Sequence, residues 1–146
     1  MADPARGLLW AVGLGAAVVA GDQVTLLAAA ALRASPGDPV WRFQFATLIV
    51  GRQVPLLAAL LLLGWIGWAA EARRIVRTAV VAGWALAGAL GLAVVVLWAD
   101  GPATRSGLLA DQLRPFTFQW IRVLAVGVAG MGSVAVISLG LGRTLK

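Results

Sequence analysis

Four long apolar runs, separated by short stretches that hold most of the charge, constrain this chain more than any other feature. They cover about residues 7–32, 54–70, 76–99 and 116–141, and a helix needs about 20 apolar residues to cross a hydrocarbon core of about 30 Å. The runs are continuous and do not alternate, so helices that satisfy their own backbones are expected in place of barrel strands. The expected fold is an all-α, four-transmembrane-helix bundle, a single membrane domain over residues 1–146. Composition agrees, because 61% hydrophobic and 12% charged residues leave too little polar surface to clothe a soluble domain of 146 residues. Arg6 and the apolar Leu8–Val19 stretch have the look of a secretory signal. The apolar character resumes after Asp22 as far as Leu32, however, and an uncleaved first span is expected.

The turn between spans two and three reads EARRIVR, with Arg73, Arg74 and Arg77 in close succession. Arginines concentrated in so short a loop predict that it is cytoplasmic. With four spans both termini are then cytoplasmic as well, which suits Arg6, Arg143 and Lys146. The seven tryptophans fit this map: Trp10, Trp65 and Trp68 near the inner interface, and Trp41, Trp98 and Trp120 near the outer one. Trp84 falls deeper and suits helix packing. The localisation expected is a bacterial multi-pass membrane protein of the plasma membrane, or of the thylakoid if the source is cyanobacterial.

Ahead of span two, WRFQFATLIVGRQ places Trp41, Phe45, Leu48 and Ile49 at helical spacing after a Pro-rich turn. It predicts an interfacial amphipathic helix on the outer face, or an extension of span two, with Trp41, Phe43, Gln44, Phe45 and Pro55 at the interface. Phe43-Gln44-Phe45 and Phe118-Gln119-Trp120 stand in matching places before even-numbered spans, as a two-plus-two duplication or chance would leave them. Small residues predict the seams where helices approach: Gly13, Ala17, Gly21 and Thr25 in span one, Gly83, Ala87 and Gly91 in span three, and Ala125, Ala129 and Ser133 in span four. The same stripes suit contacts within the chain or between copies.

Asp22 and Gln23 interrupt the first span. At 1.5 Å per residue Asp22 is about 21 Å from the cytoplasmic entry at Leu8, and Arg52 about 27 Å from the inner face counted from Ala70. Arg122, counted from Gly140, reaches about the same height. A carboxylate in hydrocarbon costs on the order of 3 kcal/mol and must pair, protonate or meet water. The expectation is an intramembrane polar clamp of Asp22, Gln23, Arg52 and Arg122, with the partner arginine left open. A hydrated position at the mouth and a proton or ion relay are the competing readings, the relay lacking a second deep acid.

The stretch 38–65, DPVWRFQFATLIVGRQVPLLAALLLLGW, resembles the cyanobacterial HpsJ-like membrane proteins associated with hormogonium polysaccharide. Pro39, Trp41, Phe43 or Phe45, Gln44 and Arg52 carry the likeness, followed by Val54, Pro55, Leu56 and Leu57 at the entry to span two. The resemblance covers about residues 20–70 and implies an accessory role in a cyanobacterial membrane, in polysaccharide output or motility. It brings no catalytic residues.

The chain has no Cys and no His, which removes thiol chemistry, the usual zinc and haem ligands and the commonest general base. No nucleophile–base pair or phosphate-cradling glycine loop is present, and Asp100 and Asp111 read as solvated loop charges, so no enzyme is expected. No cofactor or metal is expected beyond bound lipid, with a pigment held through Gln or Asp and water left open. The net charge of +6 belongs to loops, and no basic patch interleaved with aromatics points to nucleic acid. The partners expected are the bilayer and other membrane proteins or further copies of the chain. The function expected is that of a non-catalytic accessory or scaffold protein. The alternative is an oligomeric channel or transporter component.

Overall fold

The computed structural model describes residues 4–145, with side chains from Gly7 onward; Lys146 and the side chain of Arg6 lie outside the described residues. The chain is all-α: α1 (Pro4–Ala31), α2 (Pro39–Gly51), α3 (Gln53–Ala69), α4 (Arg73–Ser106) and α5 (Leu113–Arg143). Four helical lengths are long and apolar enough to span a membrane: Gly7–Ala31, Pro39–Ala69, Arg73–Ser106 and Leu113–Arg143. The protein is an integral membrane protein with a four-helix bundle. Helices α4 and α5 outrun at both ends the apolar runs that announce them. At 1.5 Å per residue, α4 is about 51 Å long and α5 about 46 Å.

Helices α2 and α3 make one spanning unit broken only at Arg52. The cause is local. Pro55 has no N–H to offer the Gly51 carbonyl, and its ring crowds that group. The chain therefore turns out of helix at Arg52, whose N–H is shared between the carbonyls of Leu48 (3.1 Å) and Ile49 (3.2 Å). Of the two expectations for residues 41–53, the extension of span two is the one observed. Ala46 and Val50 are buried in the main core with Leu90, Leu97 and Val134, so α2 packs into the bundle and does not lie along its surface. Asp38 caps α2, its carboxylate accepting from the Val40 N–H at 2.9 Å.

The turn between α3 and α4 is a Schellman closure. The Ala72 N–H reaches the Gly67 carbonyl at 2.8 Å and the Glu71 N–H reaches that of Trp68 at 3.1 Å. Glu71 takes the left-handed conformation this closure demands, with φ 53°. Gly67 is required by the close approach, since a Cβ there would stand 3.0 Å from the Val76 backbone nitrogen.

The core is unevenly shared. α4 and α5 lie against each other along their length, α2 packs on both, and α3 packs on α4. α1 touches only α3 and, more sparsely, α2, and makes no contact with α4 or α5 among the described residues.

Candidate functional site

Bilayer geometry makes every polar side chain at depth informative, and the structure gathers these groups in three places. The first is near the end of the bundle where α2 begins and α4 finishes. Asp100 is 8% exposed and accepts two bonds from the Arg42 guanidinium, from Nε at 2.7 Å and Nη2 at 2.8 Å. The third guanidinium nitrogen donates to the Pro36 carbonyl at 2.7 Å. This fork-to-fork geometry is the strongest form of arginine–carboxylate contact. It fastens α2 to α4 and gathers in the loop before α2. Beside it, the Trp120 indole N–H donates to the Leu97 carbonyl at 2.8 Å, over Gly101, where any Cβ would collide with the ring. Phe43, Phe116 and Trp120 stack in sequence, with centroids 5.3 and 6.3 Å apart, and Trp41 lies flat on Phe45 at 5.1 Å.

The sequence predicts Asp100 in a solvated outer loop, and here the structure differs. α4 continues through Pro102 to Ser106, seven residues past the apolar run, so Asp100 is a buried helical residue. The sequence carries little signal for the pair, because Asp100 stands one residue beyond its apolar run and Arg42 twelve residues ahead of its own.

The second place is the middle of the bundle. Gln23 is buried, accepts from Arg52 Nη1 at 3.1 Å through its Oε1 and donates from Nε2 to an Asp22 carboxylate oxygen at 3.0 Å. Asp22 is therefore joined to Arg52 through the Gln23 amide, without direct contact. Asp22 itself is exposed on the outer surface of α1. Arg122 takes no part. Gly127 packs on Val50 and Gly130 on Gln53, a register that puts Arg122 seven residues, about 10 Å, nearer the Pro39 end than Arg52. It is exposed on α5, which α1 does not touch. Depth is corrected too. With α2 inside the span and Trp41 at its far interface, Arg52 lies about 16 Å below Trp41 and about 20 Å from Trp65, near the middle of the membrane.

Gln53, on the opposite side of the same helix break, was not singled out from the sequence. It is 4% exposed, and its Nε2 donates to the Val126 carbonyl at 3.1 Å. Its Oε1 has no partner among the described residues. It fits only because Gly130 has no side chain to collide with it.

The helix seams also differ from the four-residue stripes. On α1 the buried and half-buried line is Leu9, Gly13, Ala16, Ala20, Gln23, Leu27 and Ala30. Ala17, Gly21 and Thr25 are exposed. Four residues turn a helix by about 400°, so a strict four-residue row drifts about 40° per step and leaves the contact line within three steps. Alternating steps of four and three hold the line, as in a coiled coil. On α4, Gly83 and Ala87 are buried, whereas Gly91 is half-buried and Leu90 and Ala93 carry the line. On α5 the line is Gly127, Gly130, Val134 and Ser138, with Ala125, Ala129 and Ser133 exposed. Side chains from the facing helix fill the glycine positions across the seam: Ser138 at Gly83, Met131 at Gly91 and Val94 at Gly127. Of the residues expected at the interface, Trp41, Phe43 and Phe45 are half-buried and Gln44 is exposed, whereas Pro55, also half-buried, stands beside the mid-membrane break at Arg52 and not at an interface.

The third place is the opposite end, where Arg73, Arg74 and Arg77 are all exposed on the first turns of α4. Among the described residues the one ion pair is Arg42–Asp100, so these three arginines are unpaired there, with Glu71 of the same turn as the one acid nearby. Among the described residues no group of His, Cys, Asp and Glu is arranged to hold a metal ion. No protein-family model matches the chain, and no curated protein or solved structure matches it.

Proposed function

We propose that this chain is a non-catalytic accessory subunit of a bacterial membrane, a scaffold that holds a partner without transforming or conducting anything. One observation carries the reading: the deep polar side chains bind neighbouring helices and do not line a passage. Arg42 with Asp100 joins α2 to α4, Gln53 joins the α2–α3 unit to α5, and Gln23 with Arg52 joins α1 to the helix break. Such groups stiffen a bundle. A conducting route needs polar groups that face a common water-filled space.

Asp22 and the uncovered side of α1 suit contact with another membrane protein, since an exposed carboxylate at that depth is costly beside acyl chains. The likeness of residues 20–70 to HpsJ-like proteins suggests polysaccharide output or motility as the setting. An orientation with the arginine-rich turn in the cytoplasm follows from the positive-inside tendency. Extraction of the native membrane under mild detergent tests the reading, with co-migration in a larger assembly expected. Ion flux through proteoliposomes of the pure chain, abolished by Asp22→Asn, would establish the channel alternative in its place.

A further inference from the structure

Where a closed bundle would bring α1 against α4, a groove opens, and its chemistry changes along its length. The groove holds about 670 Å³, within the roughly 300–1,000 Å³ range of ligand sites. Its walls are Ala17 of α1, Leu60 and Leu63 of α3 and Ala82 of α4, and Ile66 is part of the lining beneath. From Ala82 to Thr78 nothing in it is charged. At its end stand Thr78 and Arg74, with Arg73 and Arg77 exposed close by. Trp10 lines the same end, and Trp65 and Trp68 are exposed at that level, which marks it as a membrane interface. The arginines also crowd the start of α4, where the helix dipole is already positive, where acidic residues are wanted and where no side chain caps the helix.

We propose that this groove binds an anionic phospholipid, one acyl chain lying between α1 and α4 and the phosphate held by Arg74 with help from Arg73 and Arg77. The two halves of the site ask for the two halves of one molecule. Apolar walls eight residues long, about 12 Å of helix, take hydrocarbon, and three arginines beside one acid, Glu71, which is ion-paired with none of them, leave a net positive charge for a phosphate. A transmembrane helix of another protein would fill the apolar part and leave the arginines unanswered.

The full chain, purified in detergent and mixed with equal amounts of phosphatidylglycerol and phosphatidylcholine, is examined by native mass spectrometry. Retention of phosphatidylglycerol over phosphatidylcholine is expected. Arg74→Gln should reduce that preference about fivefold, the effect of removing one interfacial arginine. Arg114→Gln at the opposite end should leave it unchanged. Ala82→Leu, and separately Ala17→Leu from the facing wall, should reduce retention of both lipids by filling the groove. All these positions are exposed, so melting temperatures near that of the parent chain show that the variants fold. Equal retention of the two lipids by the parent chain overturns the proposal, as does a preference that survives Arg74→Gln or retention that ignores both leucines. A lipid-free dimer that Ala82→Leu separates assigns the groove to a second copy and overturns it as well.

Discussion

Helices α1 and α4 both qualify as membrane spans, yet they sit in the bundle in opposite ways. α4 is gripped on several sides. Its buried line runs from Val76 to Gly101, and side chains from α5 fill the gaps at Gly83, Gly91 and Gly101. α1 presents one narrow line to α3 and leaves Leu8, Leu14, Val18 and Val24 exposed. Water would have driven both inward. Hydrocarbon gives no such drive, because an apolar side chain is as well solvated by lipid as by another helix. Burial is then decided by fit and by hydrogen bonds. α4 has the fit, with Gly83, Gly91 and Gly101 each opposite a side chain of α5, whereas Gly15 and Gly21 of α1 face open space.

The contrast is most exposed to failure at its glycines. Gly130→Ala should lower stability the most, by about 1–3 kcal/mol, the usual penalty of overpacking. The new methyl group would drive into the Gln53 carboxamide. Gly21→Ala should be neutral or stabilising by up to about 1 kcal/mol, since nothing surrounds that position. Thermal unfolding in detergent measures both, and equal losses would mean that α1 is packed as tightly as the seam between α5 and α3. Asp100→Asn should come next. It weakens a bidentate contact while preserving shape, and a fall of several degrees in melting temperature is expected. Restoring the pair as Arg42→Asp with Asp100→Arg should recover part of the loss. Gln23→Leu should cost less, about 0.6 kcal/mol and at most about 1.7, in line with interhelical hydrogen bonds in membranes. Its effect should be local, with faster hydrogen exchange in α1 than in α4. Arg122→Leu should leave exchange in α1 unchanged. A gain of similar size is expected elsewhere: Glu71→Gly should stabilise by about 0.5–1 kcal/mol, by relieving a left-handed conformation at the turn that joins α3 to α4.

The clamp around Asp22 was half legible. Gln23 and Arg52 could be found because polar residues inside apolar runs stand out whatever the fold. Choosing Arg52 over Arg122 required the register of α5 against α2, which depends on where Gly127 and Gly130 admit Val50 and Gln53. Asp100 was read as a loop residue because hydropathy reports where lipid begins, whereas a helix stops only where its backbone does. α4 carries on past the apolar run through Pro102. Gln53 went unnoticed because an amide next to Arg52 looks like part of the same polar break. That the two face opposite sides of the helix is a matter of geometry.

By itself the sequence determined that this protein is a set of membrane-spanning helices, because a long apolar run in a bilayer must close its own hydrogen bonds and has few other ways to do so. It also determined the tight turn after span two and the helix break ahead of Pro55, both local consequences of backbone chemistry. Tertiary structure alone decided that α1 is held along one edge, that Arg42 meets Asp100 across 58 residues and that a groove remains beside Arg74. Those outcomes depend on the shapes of surfaces brought together from distant parts of the chain, and in lipid shape rather than apolarity selects among them.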